Sequence, residues 1–256
     1  MLIIIICSIY SLIFLLFGFY LYIFKKFIIK PKVFKIIKII RESDDSENIF
    51  LKQLSGKPII FEPGQYTEAR IKGLINFLYI SSTPKEKDLS LLSNKKLNVS
   101  LGDKVLIEGP FGISNKQIGG QLIFIVEHNG IAPIISILRN MKLSGKRVGS
   151  KLIYQNETDK NEPFKNELRL LRRSKWFSML EAYTKKFPPL KGQKLKQYKG
   201  KITKTLMKRE LKKKHFENSS FYISGSYIFI RNCKKWLKFF GVRKKCIYIY
   251  PSLSRE

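Results

Sequence analysis

The sequence predicts a two-part fold, a small antiparallel β barrel or sandwich followed by a parallel α/β sheet, carried behind an N-terminal membrane helix. Three observations support this. Residues 2–24 carry no charge; residues 33 to about 112 are short apolar runs separated by Gly, Pro, Ser and Asp turns; and from residue 121 strand-like and helix-like runs alternate. At 256 residues the chain holds one or two domains, each large enough to bury a core.

The first run, LIIIICSIYSLIFLLFGFYLYIF, rises as a helix by about 1.5 Å per residue and so matches a hydrocarbon layer of roughly 30 Å. It is long for the apolar part of a signal peptide, and it has neither a basic segment before it nor a small-residue cleavage site after it. The expectation is a single-pass anchor over residues 1–26. Lys25, Lys26, Lys30 and Lys32 follow at once, which places the remainder in the cytoplasm by the positive-inside rule.

In the next region VFKIIKIIRES (33–43) alternates apolar and polar residues, as a half-buried strand does. NIFLKQL, TEARIKG, INFLYIS, DLSLLS and KVLIEG continue the series with turn residues between them. The third region opens with the continuous apolar strand QLIFIV, and the helical spacing of APIISILRNMK follows it. SKLIYQN is a strand and EPFKNELRLLRR a helix. ITKTLMKRELKKK is read as one helix capped by Thr203, FYISGS as a strand, FIRNCKKWLKFFGV as a helix ending at Gly241, and CIYIY as a last strand. Strands alternating with helices imply parallel βαβ units.

The 49 basic and 19 acidic residues give a formal charge of +30, which favours acidic partners of any kind. Zinc-finger spacing, RNP-like aromatic motifs and basic heptads are all missing, so no specific nucleic-acid recognition is expected. Lysine-rich patches such as LKKKH (211–215) stand out. Cys7, Cys233 and Cys246 have no metal-ligand spacing, and no metal site is expected; such usage suits a reducing compartment.

Two places have the strand–Gly–helix form that offers free N–H groups to an anion. They are Gly130 to Pro133 and the ISGS segment holding Ser224 and Gly225. His128, a lone loop histidine, has no visible partner and is read as structural.

FEPGQY (61–66), FLYISSTP (77–84), LGDKVLIEGPFG (101–112), NGIAP (129–133), LIYQNETDKNEPFKNEL (152–168), GKITKTLMKREL (200–211) and YISGS (222–226) occur in one order and spacing. In that arrangement the chain resembles the ferredoxin-reductase-like flavoproteins, and most of all the NADH-cytochrome b5 reductases. The resemblance implies a FAD-binding-type antiparallel β barrel over 33–116 and an NAD(P)-binding-type parallel α/β domain over 120–256. It also implies FAD and NADH as cofactors, an oxidoreductase passing electrons to an acidic haem protein such as cytochrome b5, and, in a eukaryote, the endoplasmic reticulum or mitochondrial outer membrane. Carried residue by residue, it makes Tyr79, Ser81, Ser82, Gly130, Pro133, Asn156, Ser224 and Gly225 the cofactor-binding candidates, with no catalytic residue named.

Several family positions differ. The flavin-pyrophosphate arginine falls on Phe77, and the segment NKKLNVS is too short for the family's next phosphate-facing helix. The glycine-rich nicotinamide loop reads Glu127, His128, Asn129, Gly130, and the Cys-Gly-Pro motif reads Ser224, Gly225, Ser226. Scaffold positions survive while ligand positions are lost. The expected alternative to a reductase is therefore a non-catalytic, membrane-tethered binding or scaffold module on the same fold.

Overall fold

The computed structural model describes residues 10–18, 31–113, 120–145, 147–186 and 196–253. Within the expected anchor, residues 10–18 form an exposed helix, α1, and the rest of that segment lies outside the described residues. Among the described residues no helix is long and apolar enough to cross a membrane.

The first domain is a closed six-stranded barrel in the order β1-β2-β5-β4-β3-β6. Its strands are β1 (Lys32–Arg41), β2 (Glu47–Gln53), β3 (Tyr66–Ile71), β4 (Leu74–Ile80), β5 (Leu89–Ser93) and β6 (Lys104–Phe111). All pairings are antiparallel, and β6 closes back onto β1. Closure leaves no free sheet edge. The alternation legible in β1 puts Phe34 and Ile36 inside with Ile49, Leu51, Ala69, Leu91, Val105 and Ile107. A register shift between Ile36 and Lys38 then keeps Lys38 outward after Ile37 and brings Ile39 back against the barrel core.

The second domain is a six-stranded, all-parallel sheet in the order β10-β9-β8-β7-β11-β12. The strands are β7 (Gln121–Glu127), β8 (Ser150–Asn156), β9 (Phe177–Tyr183), β10 (Gln197–Lys199), β11 (Ser219–Gly225) and β12 (Ile247–Pro251). The central strand β7 is buried from Leu122 to Val126, as a strand covered on both faces must be. Its side chains alternate between two cores. Leu122, Phe124 and Val126 face α2 (Ile131–Ser144) and α3 (Lys165–Leu171), whereas Ile123 and Ile125 face α4 (Lys204–Glu210) and α6 (Tyr227–Phe239). In α6 the buried Phe229, Ile230, Cys233 and Leu237 recur at helical spacing, each larger apolar side chain contributing about 1.5–3 kcal/mol.

The run read as one helix over 202–214 is two. Thr203 caps α4 by accepting from the Leu206 N–H at 3.2 Å, but Leu211 turns into the core and a second helix, α5 (Lys213–Asn218), begins with its own cap. His215 Nδ1 there accepts from the Lys212 N–H at 2.8 Å. The burial of Leu211 overrides the uninterrupted helix propensity of the lysine run.

The two domains meet along β4 and α2. Ser136 Oγ donates to the Ser82 carbonyl at 2.6 Å, and Arg139 Nη1 to the Ser81 carbonyl at 2.8 Å. Glu167 holds the same guanidinium through two bonds of 2.8 and 2.6 Å. The Phe164 N–H donates to Glu42 at 3.1 Å, and Tyr79 and Leu92 of the barrel belong to the same apolar cluster as α2.

Candidate ligand cleft at the domain junction

Chain order reverses at β7, which has β8 on one side and β11 on the other. In open α/β sheets such a switch point leaves a crevice beyond the carboxyl ends of the strands. Here it opens into two adjoining cavities that share Asn94, Asn129, Gly130 and Ser252 as walls.

The junction cavity, about 580 Å³, lies between the barrel and α2. Its walls are mostly apolar: Ile75, Phe77, Leu78, Tyr79, Leu92, Ala132 and Leu253, joined by Asn76, Ser93, Asn94, Lys95 and Glu68. Tyr79 is fixed by its hydroxyl, which donates to the Pro251 carbonyl at 2.9 Å, and by edge-to-face packing on Tyr66 and Tyr250. Burial raises the pKa of its phenol, so it stays a donor. Between β5 and β6 the shortened segment forms no helix, and Asn94 and Lys95 reach the cavity from it.

The crevice proper, about 360 Å³, is of opposite character. Asp45, Glu127 and Glu157 line it together with His128, Asn161, Gly225 and Ser226. Glu127, the last residue of β7, turns its carboxylate onto the start of α6. Its Oε2 accepts from the Ser226 N–H at 3.2 Å and the Ser226 hydroxyl at 2.6 Å, and its Oε1 accepts from Gln155 at 3.1 Å. The chain's own anion therefore occupies the positive end of that helix. Glu157 keeps its charge readily, because the hydrogen bond from Lys185 holds its carboxyl below the usual range.

Backbone packing closes the turns around this carboxylate. A Cβ on Gly130 would stand 2.8 Å from the Ser224 carbonyl carbon and 2.9 Å from the Gly225 nitrogen. Gly225 has φ of +151°, and a Cβ there would meet the Glu127 Cβ at 2.8 Å. Both positions require glycine because two protein loops touch, with no ligand needed to explain them. His128, at φ of +46°, receives the Tyr154 hydroxyl on its carbonyl at 3.0 Å.

Of the candidates named from sequence, Tyr79, Gly130 and Gly225 come together around the cleft. The others sit behind it. Ser81 Oγ bonds Asn48 and Ser90, and Ser82 Oγ accepts from the Ser90 N–H. Ser224 Oγ donates to the Tyr250 carbonyl at 2.9 Å, Pro133 is buried in α2, and Asn156 is buried at the end of β8. Sequence reasoning did not name Asn76, Asn94, Lys95, Leu253, Asp45 or Glu157 as lining residues. Only the shortened loop after β5 hinted at the pair Asn94 and Lys95. Among the described residues no group of three or more His, Cys, Asp or Glu side chains is placed to hold a metal ion.

No protein-family model matches the sequence, and no curated protein matches it. Solved structures do. The flavohem-like FAD/NAD binding domain of nitric oxide dioxygenase from Vibrio cholerae superposes with a TM-score of 0.75 at 19% identity, over 86% of this chain and 98% of that one. The cytochrome b5 reductase domain of Ulva prolifera nitrate reductase gives 0.72 at 14%, over 86% and 97%. A ferredoxin NADP+ reductase from Neisseria gonorrhoeae, with bound FAD and NADP, gives 0.68 at 18%, over 86% and 98%. A six-stranded antiparallel barrel joined to a parallel α/β sheet is thus the fold this chain shares with ferredoxin-reductase-like FAD/NAD-binding domains.

Proposed function

We propose that this chain uses the reductase fold as a membrane-tethered binding module, which takes a flat aromatic ligand, a flavin foremost, in the junction cavity and does not accept NADH in the crevice. The observation that carries this reading is the Glu127 carboxylate bonded to Ser226 at the start of α6. A nicotinamide dinucleotide brings a dianionic pyrophosphate. The crevice presents it with three carboxylates, Asp45, Glu127 and Glu157, and with a helix terminus already neutralised from within. The residues do not fit that group.

A flavin ring fits better. Phe77, Tyr79 and Leu253 give it apolar walls, Asn76 and Asn94 give it polar edges, and Lys95 is the cation available to its phosphates. A bound flavin supplies redox chemistry, and the chain's residues bind it, orient it and keep water from one face. The tether rests on the uncharged run 2–24 and the lysines after it, with the folded part facing the cytoplasm, on the endoplasmic reticulum or mitochondrial outer membrane in a eukaryotic cell.

A second reading is a membrane-anchored flavin-dependent reductase that passes electrons from NADH through FAD to an acidic haem protein such as cytochrome b5. The size and position of the junction cavity and the names of the structural neighbours favour it. One experiment separates the two. The purified full chain is reconstituted with FAD, and the flavin absorbance is followed on adding NADH and then dithionite. The binding-module reading expects bleaching by dithionite alone. Rapid bleaching by NADH would establish the reductase, and failure to retain FAD would remove the flavin from the cavity.

A further inference from the structure

A third cavity, about 340 Å³, lies at the opposite end of the α/β sheet, against the amino ends of β7, β8 and β9. Six steps along β7 separate Gln121 on its wall from Glu127 in the cleft, about 20 Å of strand. Four lysines converge on it from three parts of the chain: Lys151 at the start of β8, Lys175 before β9, and Lys212 and Lys214 around the first turn of α5. His215 and the half-buried ring of Trp176 complete that wall. The lysine-rich LKKKH stretch of the sequence thus forms one side of a concave site.

The charge there is poorly compensated. Glu210 is the carboxylate beside it, and three cations already share it: Lys151 at 3.3 Å, Lys196 at 2.5 Å and Arg209 at 3.4 Å. Lys175, Lys212 and Lys214 make no ion pair among the described residues. The lysine positive charge also reaches neighbouring groups. Burial, and then Lys151, Lys214 and Lys212, push the His215 imidazole down from its ordinary value, and burial lowers Lys151. Without an anion, this arrangement concentrates like charge around a hollow.

We propose that this cavity is a binding site for a ligand carrying two or more phosphate groups, held by Lys151, Lys175, Lys212 and Lys214, with Trp176 packing against its uncharged part. Four cations exceed the need of a single phosphate, and phosphate is a common anion that repeats charge within a few ångströms. The same chemistry occurs in a soluble polyphosphorylated molecule and in a phosphoinositide headgroup. The site is independent of the reading given for the cleft.

The test uses the full chain in phosphatidylcholine nanodiscs with Trp236→Phe, which leaves Trp176 as the one tryptophan. Inorganic tripolyphosphate is titrated at constant ionic strength. The expected result is a saturable, one-to-one change in Trp176 fluorescence, weakened at least tenfold by Lys214→Glu and by Lys175→Glu, and less than twofold by Lys213→Glu. Lys213 lies on the same helix with 91% of its side chain exposed, and it does not line the cavity. It therefore makes the same charge change outside the site. Two variants on different elements keep the test decisive if one fails to fold. Inositol trisphosphate in solution and phosphatidylinositol bisphosphate within the disc are then compared, and tighter retention of one identifies the source. No saturable response to any of the three, or equal weakening by Lys213→Glu, would overturn the proposal.

Discussion

The two cavities of the cleft share four residues and differ in what surrounds them. The junction cavity is walled by rings and aliphatic side chains with one lysine and one glutamate, whereas the crevice beside it is walled by three carboxylates. In each, one hydroxyl of the wall is already held by the protein: Tyr79 donates to the Pro251 carbonyl in the junction cavity, and Ser226 to the Glu127 carboxylate in the crevice. Such partners need opposite consequences for binding. A carbonyl acceptor on Tyr79 adds no charge to the apolar wall, while a carboxylate on Ser226 puts negative charge at the start of α6. On the proposed reading, a single fold keeps one half of a site and closes the other by the choice of internal acceptor.

The contrast depends first on a rigid junction, so the largest effect is expected at Arg139. Its guanidinium joins α2 to Glu167 of α3 and to the barrel carbonyl of Ser81, with 17% of the side chain exposed. Arg139→Met leaves both acceptors without their donor and is expected to cost about 3 kcal/mol. Urea unfolding should show this loss and split into two transitions as the domains uncouple. A loss below about 1 kcal/mol with one transition would mean that the apolar cluster alone fixes the junction.

A second test addresses the carboxylates behind the crevice. Burial, followed by repulsion from Glu181, pushes the Glu162 carboxyl up to about 7, although the Tyr183 hydroxyl donates to it at 2.9 Å. The same carboxyl titrates near 4.5 when unfolded. Between those values the unfolded chain binds fewer protons than the folded one, so stability falls as pH rises through this window. The wild type should lose on the order of 2–3 kcal/mol relative to Glu162→Gln between pH 4.5 and 7.5. Parallel pH profiles of the two urea midpoints would place the proton elsewhere.

Much of this architecture is legible in the sequence. The alternation in VFKIIKIIRES and the unbroken apolar run QLIFIV report how many faces of a strand are buried, which is a local property. The Thr203 cap was legible for the same reason, its partner Leu206 being three residues away. The role of Glu127 was not, because Ser226 lies 99 residues further on and only the β7–β11 pairing brings them together. The close approach of Gly130 to the backbone of Ser224 and Gly225 is hidden in the sequence for the same cause. The break between α4 and α5 is not written in local propensity, because a lysine run favours helix wherever tertiary burial, here of Leu211, does not intervene.

The flavin reading of the junction cavity can be sharpened by supplying the arginine that the resemblance expects. Phe77 lines the junction cavity at 38% exposure, at the position where the resemblance expects an arginine. Phe77→Arg should tighten FAD about tenfold, one charge-assisted bond to phosphate at about 1.4 kcal/mol. Flavin fluorescence quenching measures it. An unchanged affinity would show that the cavity does not bring a phosphate near residue 77.

The exclusion proposed for the crevice is tested most finely at Glu127, where charge and hydrogen bonding can be separated. Glu127→Gln keeps an acceptor for the Ser226 N–H and hydroxyl but removes the negative charge, at a cost of about 0.5–1 kcal/mol from the helix terminus. Glu127→Ala removes the acceptor too, costs about 1–2 kcal/mol, and frees the Ser226 N–H and hydroxyl at the start of α6. If the carboxylate excludes dinucleotides by its charge, ADP-ribose should begin to bind in both variants, seen by calorimetry as a signal absent from the wild type. If it excludes them by holding the donors, binding should appear only with alanine. Binding by the wild type as tight as by either variant would show that a pyrophosphate reaches α6 despite the carboxylate, and the distinction between the two cavities would fail.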